Sequence, residues 1–429
     1  MARLLRSQVK DRIFTYLKKG SAGATGRRVE RARHKLGTFV CVLLMSGCSV
    51  SNLSCANIRM GVAGGAWPAV EAVMLFDDFV GVTDDGEVDS GLFGIESTGV
   101  DNAPLVLAAK QFIASLDESQ KDRLLHPVDD KEWRRWANFH VAKRAGIGYL
   151  EMSDDQAEAA NSLIRASLSA KGYATAIDVM RLNGYLAEVL DGNYVEFGEK
   201  RYWLTIMGDP STSEPWGWQL DGHHLVINFF VLGDQVVMTP TFMGSEPIRA
   251  VSGPYAGIEA FSEETNAGLA FVNSLSSEQR AKAISEEKKE GNLNRAELFK
   301  DNVVVPIEGL SFASLSPSQD VLARQLVDAY VGRIREGHAA VRMNEVLEHW
   351  DQTYFVWVGE TGEDSVFYYR VQSPVIMIEF DHQTPFALDR PDVPDREHVH
   401  TVVRTPNGND YGKDLLRQHL EEHPHPHAH

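Results

Sequence analysis

The sequence predicts an α+β fold: two similar helix-then-strand halves forming one large pseudo-symmetric domain. Two observations carry this expectation. Apolar residues at helical spacing precede short β-branched and aromatic runs, and this succession occurs twice along the chain. Four segments also recur in the same order. Phe112–Leu116 returns as Phe271–Leu275, and Gly146 with Gln156 as Gly309 with Gln319. Tyr202–Ile206 returns as Tyr354–Val358, and Trp218–Phe229 as Tyr369–Phe380. Offsets of 151 to 163 residues, all in one order, point to an internal duplication.

Taken from the N-terminus, residues 1–47 read as an export signal. A basic stretch ends at Lys35, and the short apolar run Leu36–Met45 precedes Ser46-Gly47-Cys48. The run is too short to span a bilayer. Met45–Cys48 resembles a bacterial lipobox, which makes Cys48 the expected lipid anchor and the only expected tie to a membrane. Residues 48–102 are rich in Ser, Gly and Asp and are expected to form an irregular tether. The first half is placed at 103–256, the second at 257–422, and a His-rich tail at 423–429.

Within the halves, Ser153 followed by Gln156 has the spacing of a capping box and opens a helix to about Leu168. Further helices are expected over Thr175–Leu190 and from Ser316 to about Gly337. Strands are expected at Tyr202–Met207, Leu225–Leu232 and Gln235–Met238, with Gly233-Asp234 as a hairpin turn. Thr241–Ala256, punctuated by Pro and Gly, reads as loop.

The net charge of −18 is uneven. Residues 1–47 hold 11 Lys/Arg against 2 Asp/Glu, or +9, so the remainder carries −27. So acidic a body excludes nucleic acid as the main partner and suits a small-molecule ligand or a cation. The three cysteines, Cys41, Cys48 and Cys55, all lie near the N-terminus. The body is thereby left without thiolate metal sites, a disulfide framework or a cysteine nucleophile. No Gly-x-Ser-x-Gly elbow and no Gly-rich phosphate loop is present.

Chemistry concentrates in three runs: Asp221-Gly-His-His224, Glu379-Phe-Asp-His382 and His398-Val-His400. Alternate residues of a strand share a face, which brings His398 together with His400, Glu379 with Asp381, and Asp221 with His223. Imidazoles with a carboxylate are nitrogen/oxygen ligands for a divalent metal, zinc foremost. The expected metal ligands are His223, His224, His398 and His400. Asp221, Glu379 and Asp381 are the candidate carboxylate ligands or general bases, and Arg404 a candidate carboxylate clamp. Trp216, Trp218 and Gln219 are expected to line a ligand pocket. Each residue also has a bland reading: a histidine bonded to a buried Asp or carbonyl, a tryptophan filling the core, an arginine in an ion pair. The terminal His-Pro alternation binds metal loosely whatever the body does and says nothing about a site in the fold.

The runs Pro215–Leu225, Phe242–Pro247 and His398–Gly412 resemble the domain-of-unknown-function 3500 family, mostly bacterial proteins that often carry export signals. The resemblance covers residues 103–420 and brings no reaction with it. Two functions are therefore carried forward. The first is an exported, metal-dependent enzyme, a hydrolase of a small molecule in the periplasm or at the cell surface. The second is a non-catalytic surface lipoprotein that binds a metal or small ligand.

Overall fold

The computed structural model describes Leu75 and residues 77–423. The export segment, the three cysteines and the tail after His423 lie outside the described residues. Among the described residues, no helix is long and apolar enough to cross a membrane.

Helices α1 (Ala103–Ser115) and α2 (Glu118–Leu124) lead into the short strand β1 (Leu125–His126). After β2 (Ile147–Gly148) come α3 (Asp154–Ser167) and α4 (Ala170–Val189). Five strands follow: β3 (Tyr202–Met207), β4 (Trp216–Gly222), β5 (Leu225–Leu232), β6 (Gln235–Val237) and β7 (Thr241–Ser245). Next are α5 (Ser262–Ser274), α6 (Ser277–Ala283), β8 (Ile284–Glu286), β9 (Leu310–Ser311), α7 (Pro317–Val331) and α8 (Glu336–Glu348). Strands β10 (Tyr354–Gly359), β11 (Phe367–Gln372), β12 (Met377–His382) and β13 (Val399–Arg404) precede the last helix, α9 (Lys413–Glu422).

The strands build one mixed sheet in the order β1-β3-β4-β5-β7-β13-β12-β11-β10-β8, with β2, β6 and β9 added beside β3, β5 and β10. Its centre is the antiparallel pair β7·β13, in which Gly244 faces His400 and Phe242 faces Val402. The class is thus mixed α/β. Two of the sequence-derived boundaries shift. Thr241–Ser245, within the stretch expected as loop, is the central strand β7; Pro240 precedes it and Gly244 lies in it, yet its backbone pairs on both edges. The helix expected from Ser316 to about Gly337 is broken after Val331, because residues 332–335 turn back to bond Ser167 and Ser169. Residues 77–102 contain no helix or strand, yet they are fastened to the body: Asp234 accepts from the Ser97 hydroxyl and from the Thr98 and Gly99 amides.

Helix starts follow the side chains. Asp117, Ser153, Ser276 and Ser316 each form a capping box with a glutamine three residues on. Gln120 also bonds Gln156, and Gln279 bonds Gln319, through amide pairs of 2.8–3.3 Å.

Strand alternation gives the sheet two unlike faces. One carries Leu204, Trp218, Phe229, Tyr369 and Phe355 against the helices: Trp218 donates to Ser167 of α3, and the Tyr369 hydroxyl pairs with Tyr330 of α7. The other carries Gln219, Asp221, Asn228, Glu379, Asp381, His400 and Arg404, and two irregular segments, residues 127–146 and 287–309, cover it. Buried backbone outside a ladder must find partners, and these side chains supply them. Gln219 donates to the Trp133 carbonyl, and Asp221 accepts from the Ala137 amide. Glu379 accepts from the Arg295 and Ala296 amides, and Asp381 from Leu293 and Asn294.

Gly146 and Gly309 end the two covering segments at φ of 81° and 99°. A Cβ there would lie 1.9 Å from the Leu204 oxygen or 2.2 Å from the Phe355 oxygen. Gly146→Ala and Gly309→Ala are each expected to lower stability by about 2–4 kcal/mol, measured by urea unfolding.

Candidate metal centre

Three histidines meet on the polar face beside the β7·β13 junction. His398 and His400, two residues apart at the start of β13, point the same way. His224 comes from the two-residue turn joining β4 to β5, where Gly222 pairs with Leu225. Its backbone has φ 61°, a left-handed conformation usually left to glycine or asparagine and costing about 1–2 kcal/mol in other residues. Its amide bonds the Asn138 carbonyl and its carbonyl accepts from Gly244, so the turn is held from both sides. Gly244 leaves room for the imidazole opposite, since a Cβ would lie 3.0 Å from His400 Cδ2.

The three Nε2 atoms are separated by 3.0 Å (His398–His400), 3.2 Å (His400–His224) and 3.4 Å (His398–His224). All three residues are buried. Imidazoles bound to one tetrahedral metal at about 2.0–2.1 Å place their nitrogens about 3.3 Å apart. Protonation follows from the partners. The Thr384 carbonyl only accepts, so His398 Nδ1, 2.9 Å away, carries a hydrogen, and Nε2 is the nitrogen directed at the centre. His400 Nδ1 faces Glu297 Oε2 at 3.8 Å, and Glu246 Oε2 lies 3.5 Å from His398 Nδ1. Burial holds His224 and His400 well below the ordinary histidine range, hence neutral at pH 7. Three imidazole nitrogens directed at one point have the arrangement of ligands around a cation. These three buried histidines form a candidate metal site.

His223 lies outside that trio. Its ring stacks on His224 with centroids 3.9 Å apart. Nδ1 is 2.8 Å from Asn183 Oδ1, and Asn183 donates its own NH₂ to the Gly198 carbonyl, so His223 Nδ1 must donate. Burial keeps this histidine neutral too, which leaves Nε2 a bare acceptor beside the centre. Phe197, His140 and Phe386 continue outward from it.

The other sequence-derived candidates are bonded within the protein, including Asp381, which faces His400 across the β12·β13 ladder. Asp221 pairs with Arg144 at 3.2 Å. Asp381 pairs with Lys289 at 2.8 Å, and Glu379 also accepts from the Tyr368 hydroxyl. Arg404 is held by Asp410 and Asp301 at 2.6 and 2.8 Å, in a closed ion-pair network. Trp216 and Trp218, expected to flank a pocket from a loop, lie instead in β4 and are fully buried. Gln219 is bonded to Asn228 and to the Trp133 carbonyl. Sequence reasoning passed over Glu246, Glu297 and Asn183. Glu246 sits in the Phe242–Pro247 run already singled out, whereas nothing local marks Glu297 among the charges of its segment.

Fold and site together define a mixed α/β protein with a buried three-histidine candidate metal centre. The family model described as "Protein of unknown function (DUF3500)" matches residues 98–413, and the chain belongs to that family. No curated protein and no solved structure matches it.

Two predictions follow from this geometry. Burial pushes the Asp221 carboxyl up to about 6 against the pull of Arg144, above the value of about 3.9 in an unfolded chain. The stability tied to it is complete below about pH 4 and is lost as pH rises through about 6. Between pH 4 and 7, Asp221→Asn should gain about 2 kcal/mol relative to wild type in urea melts. At His224, glycine removes both the imidazole and the left-handed strain. In chelator-treated protein, His224→Gly should exceed His224→Ala in stability by roughly 1 kcal/mol, while both lose metal.

Proposed function

We propose that this protein is an exported, zinc-dependent hydrolase of a small molecule, with His224, His398 and His400 as its metal ligands. The observation that carries the reading is the convergence of three Nε2 atoms at 3.0–3.4 Å with the His398 tautomer fixed by a carbonyl. Three imidazole ligands would leave a fourth tetrahedral position for water, and bound zinc would make such water a nucleophile near neutral pH. His223, neutral and with Nε2 unbonded to protein, is the base beside that position. Asn183 holds its tautomer. The rings of Phe197, His140 and Phe386 beside it are mainly aromatic and would suit a small, partly apolar ligand. Export with a lipid anchor at Cys48 completes the reading.

We infer also that the two halves descend from an internal duplication. In support, α1–α2–β1 and α5–α6–β8 keep one spacing, and the glutamine pairs and the glycines before β2 and β9 recur. The centre itself draws on both halves and repeats in neither.

Metal content measured by mass spectrometry tests the reading, on protein lacking residues 424–429. About one zinc per chain is expected, with loss in a His224→Ala/His400→Ala double variant. Wild-type protein that stays metal-free after reconstitution with Zn, Fe and Mn would sink it. Bound metal without hydrolysis of any activated ester or amide would favour the non-catalytic lipoprotein instead.

A further inference from the structure

Between β12 and β13 the chain makes a long excursion, residues 383–398, whose ends are clasped by Gln383 N–H donating to the His398 carbonyl at 2.7 Å. This strap bonds the candidate centre twice. Its Thr384 carbonyl accepts from His398 Nδ1 at 2.9 Å. The three amides after Pro385, those of Phe386, Ala387 and Leu388, all donate to the Glu246 carboxylate at 3.0–3.1 Å. Glu246 is only 3% exposed. A buried carboxylate needs positive charge or donors around it, and beyond these amides the Nδ1 of His398 lies 3.5 Å away.

The strap also has an apolar hold. Ala387 and Leu388 pack on Leu186, Ala187 and Phe197, at the end of α4 and in the loop after it. Phe386 is left half exposed at 51%, its ring 6.0 Å from His140. His140 in turn is 5.6 Å from His223, which stacks on His224. The strap therefore runs beside this row of rings and places an aromatic side chain next to His140.

We propose that Glu246 is a positioning residue that makes metal binding and closure of the 384–397 strap one event. The proposal rests on the three-histidine metal centre. A cation on His398 Nε2 makes its Nδ1–H a stronger donor and draws the Thr384 carbonyl and the Glu246 carboxylate toward it. Glu246 then carries that constraint to the three strap amides, and through them to Phe386. An open strap admits metal and ligand; a metal-loaded one encloses the centre, with Phe386 and Phe197 setting what can pass.

The test uses the full chain with His425, His427 and His429 replaced by alanine, so that the tail does not bind the probe. Zinc affinity is measured by competition with a chromophoric chelator, and amide exchange over residues 384–397 with and without zinc. Glu246→Gln is expected to weaken zinc binding roughly 10- to 100-fold, in addition to any lowering of the metal-free melting temperature from the lost amide bonds. Zinc should slow exchange at Phe386–Leu388 in wild type and not in the variant. Glu246→Asp, whose shorter carboxylate cannot reach all its partners, should fall between and serves if the glutamine variant does not fold. A purely structural role would lower the metal-free melting temperature and leave zinc affinity within about twofold, which would overturn the proposal. So would unchanged strap exchange when wild type takes up zinc. If wild type takes up no zinc at all, the metal centre fails first and this inference falls with it.

Discussion

Two stretches of buried backbone with no ladder of their own set the terms for the rest of this structure. Residues 127–146 and 287–309 lie across one face of the sheet, and a buried amide or carbonyl left unpaired costs about 1–3 kcal/mol. The sheet answers with side chains. Gln219, Asp221, Glu379, Asp381 and Gln372 alternate along the strands and reach up to the amides and carbonyls of those segments. The density of polar residues at the strands is thus a requirement of the covering segments, and most of it has no need of a ligand.

The histidines differ from these side chains in kind. His398 and His400 occupy the same polar face, but their inner nitrogens meet one another and His224 instead of a backbone group. The outer nitrogen of His398 is bonded to the Thr384 carbonyl, and that of His400 lies 3.8 Å from the Glu297 carboxylate without a hydrogen bond. His224 adds backbone strain to that pattern. A residue held at φ 61° where glycine would be easier is kept for its side chain.

Much of the fold was legible because local chemistry and tertiary demand agree. The capping boxes at Ser153 and Ser316 are in the sequence as Ser followed three residues later by Gln, and they start α3 and α7. The central strand β7 was not legible, since Thr241–Ser245 is short, contains Gly244 and follows Pro240; only its two neighbours, β5 and β13, make it a strand. At the site, the His398-Val-His400 alternation located two members. The pair His223-His224 could not be divided from sequence, because adjacent residues in a turn diverge according to backbone angles that nothing local fixes. The acidic and amide residues nearby read as site chemistry because a sheet face buried under irregular backbone carries the same residue types as a binding site.

The β7·β13 pairing has a consequence for how the protein comes into being. β13 is the last strand of the chain, so a nascent polypeptide carries β7 as a bare edge until some 160 further residues have been made. The sheet cannot close from its first half, and the pairing that closes it joins residues far apart in sequence, which is intrinsically slow. His224 waits over the same interval for His398 and His400. No cation can be gathered by these three during synthesis or by a partly made chain, and uptake is deferred to a molecule whose sheet is already whole.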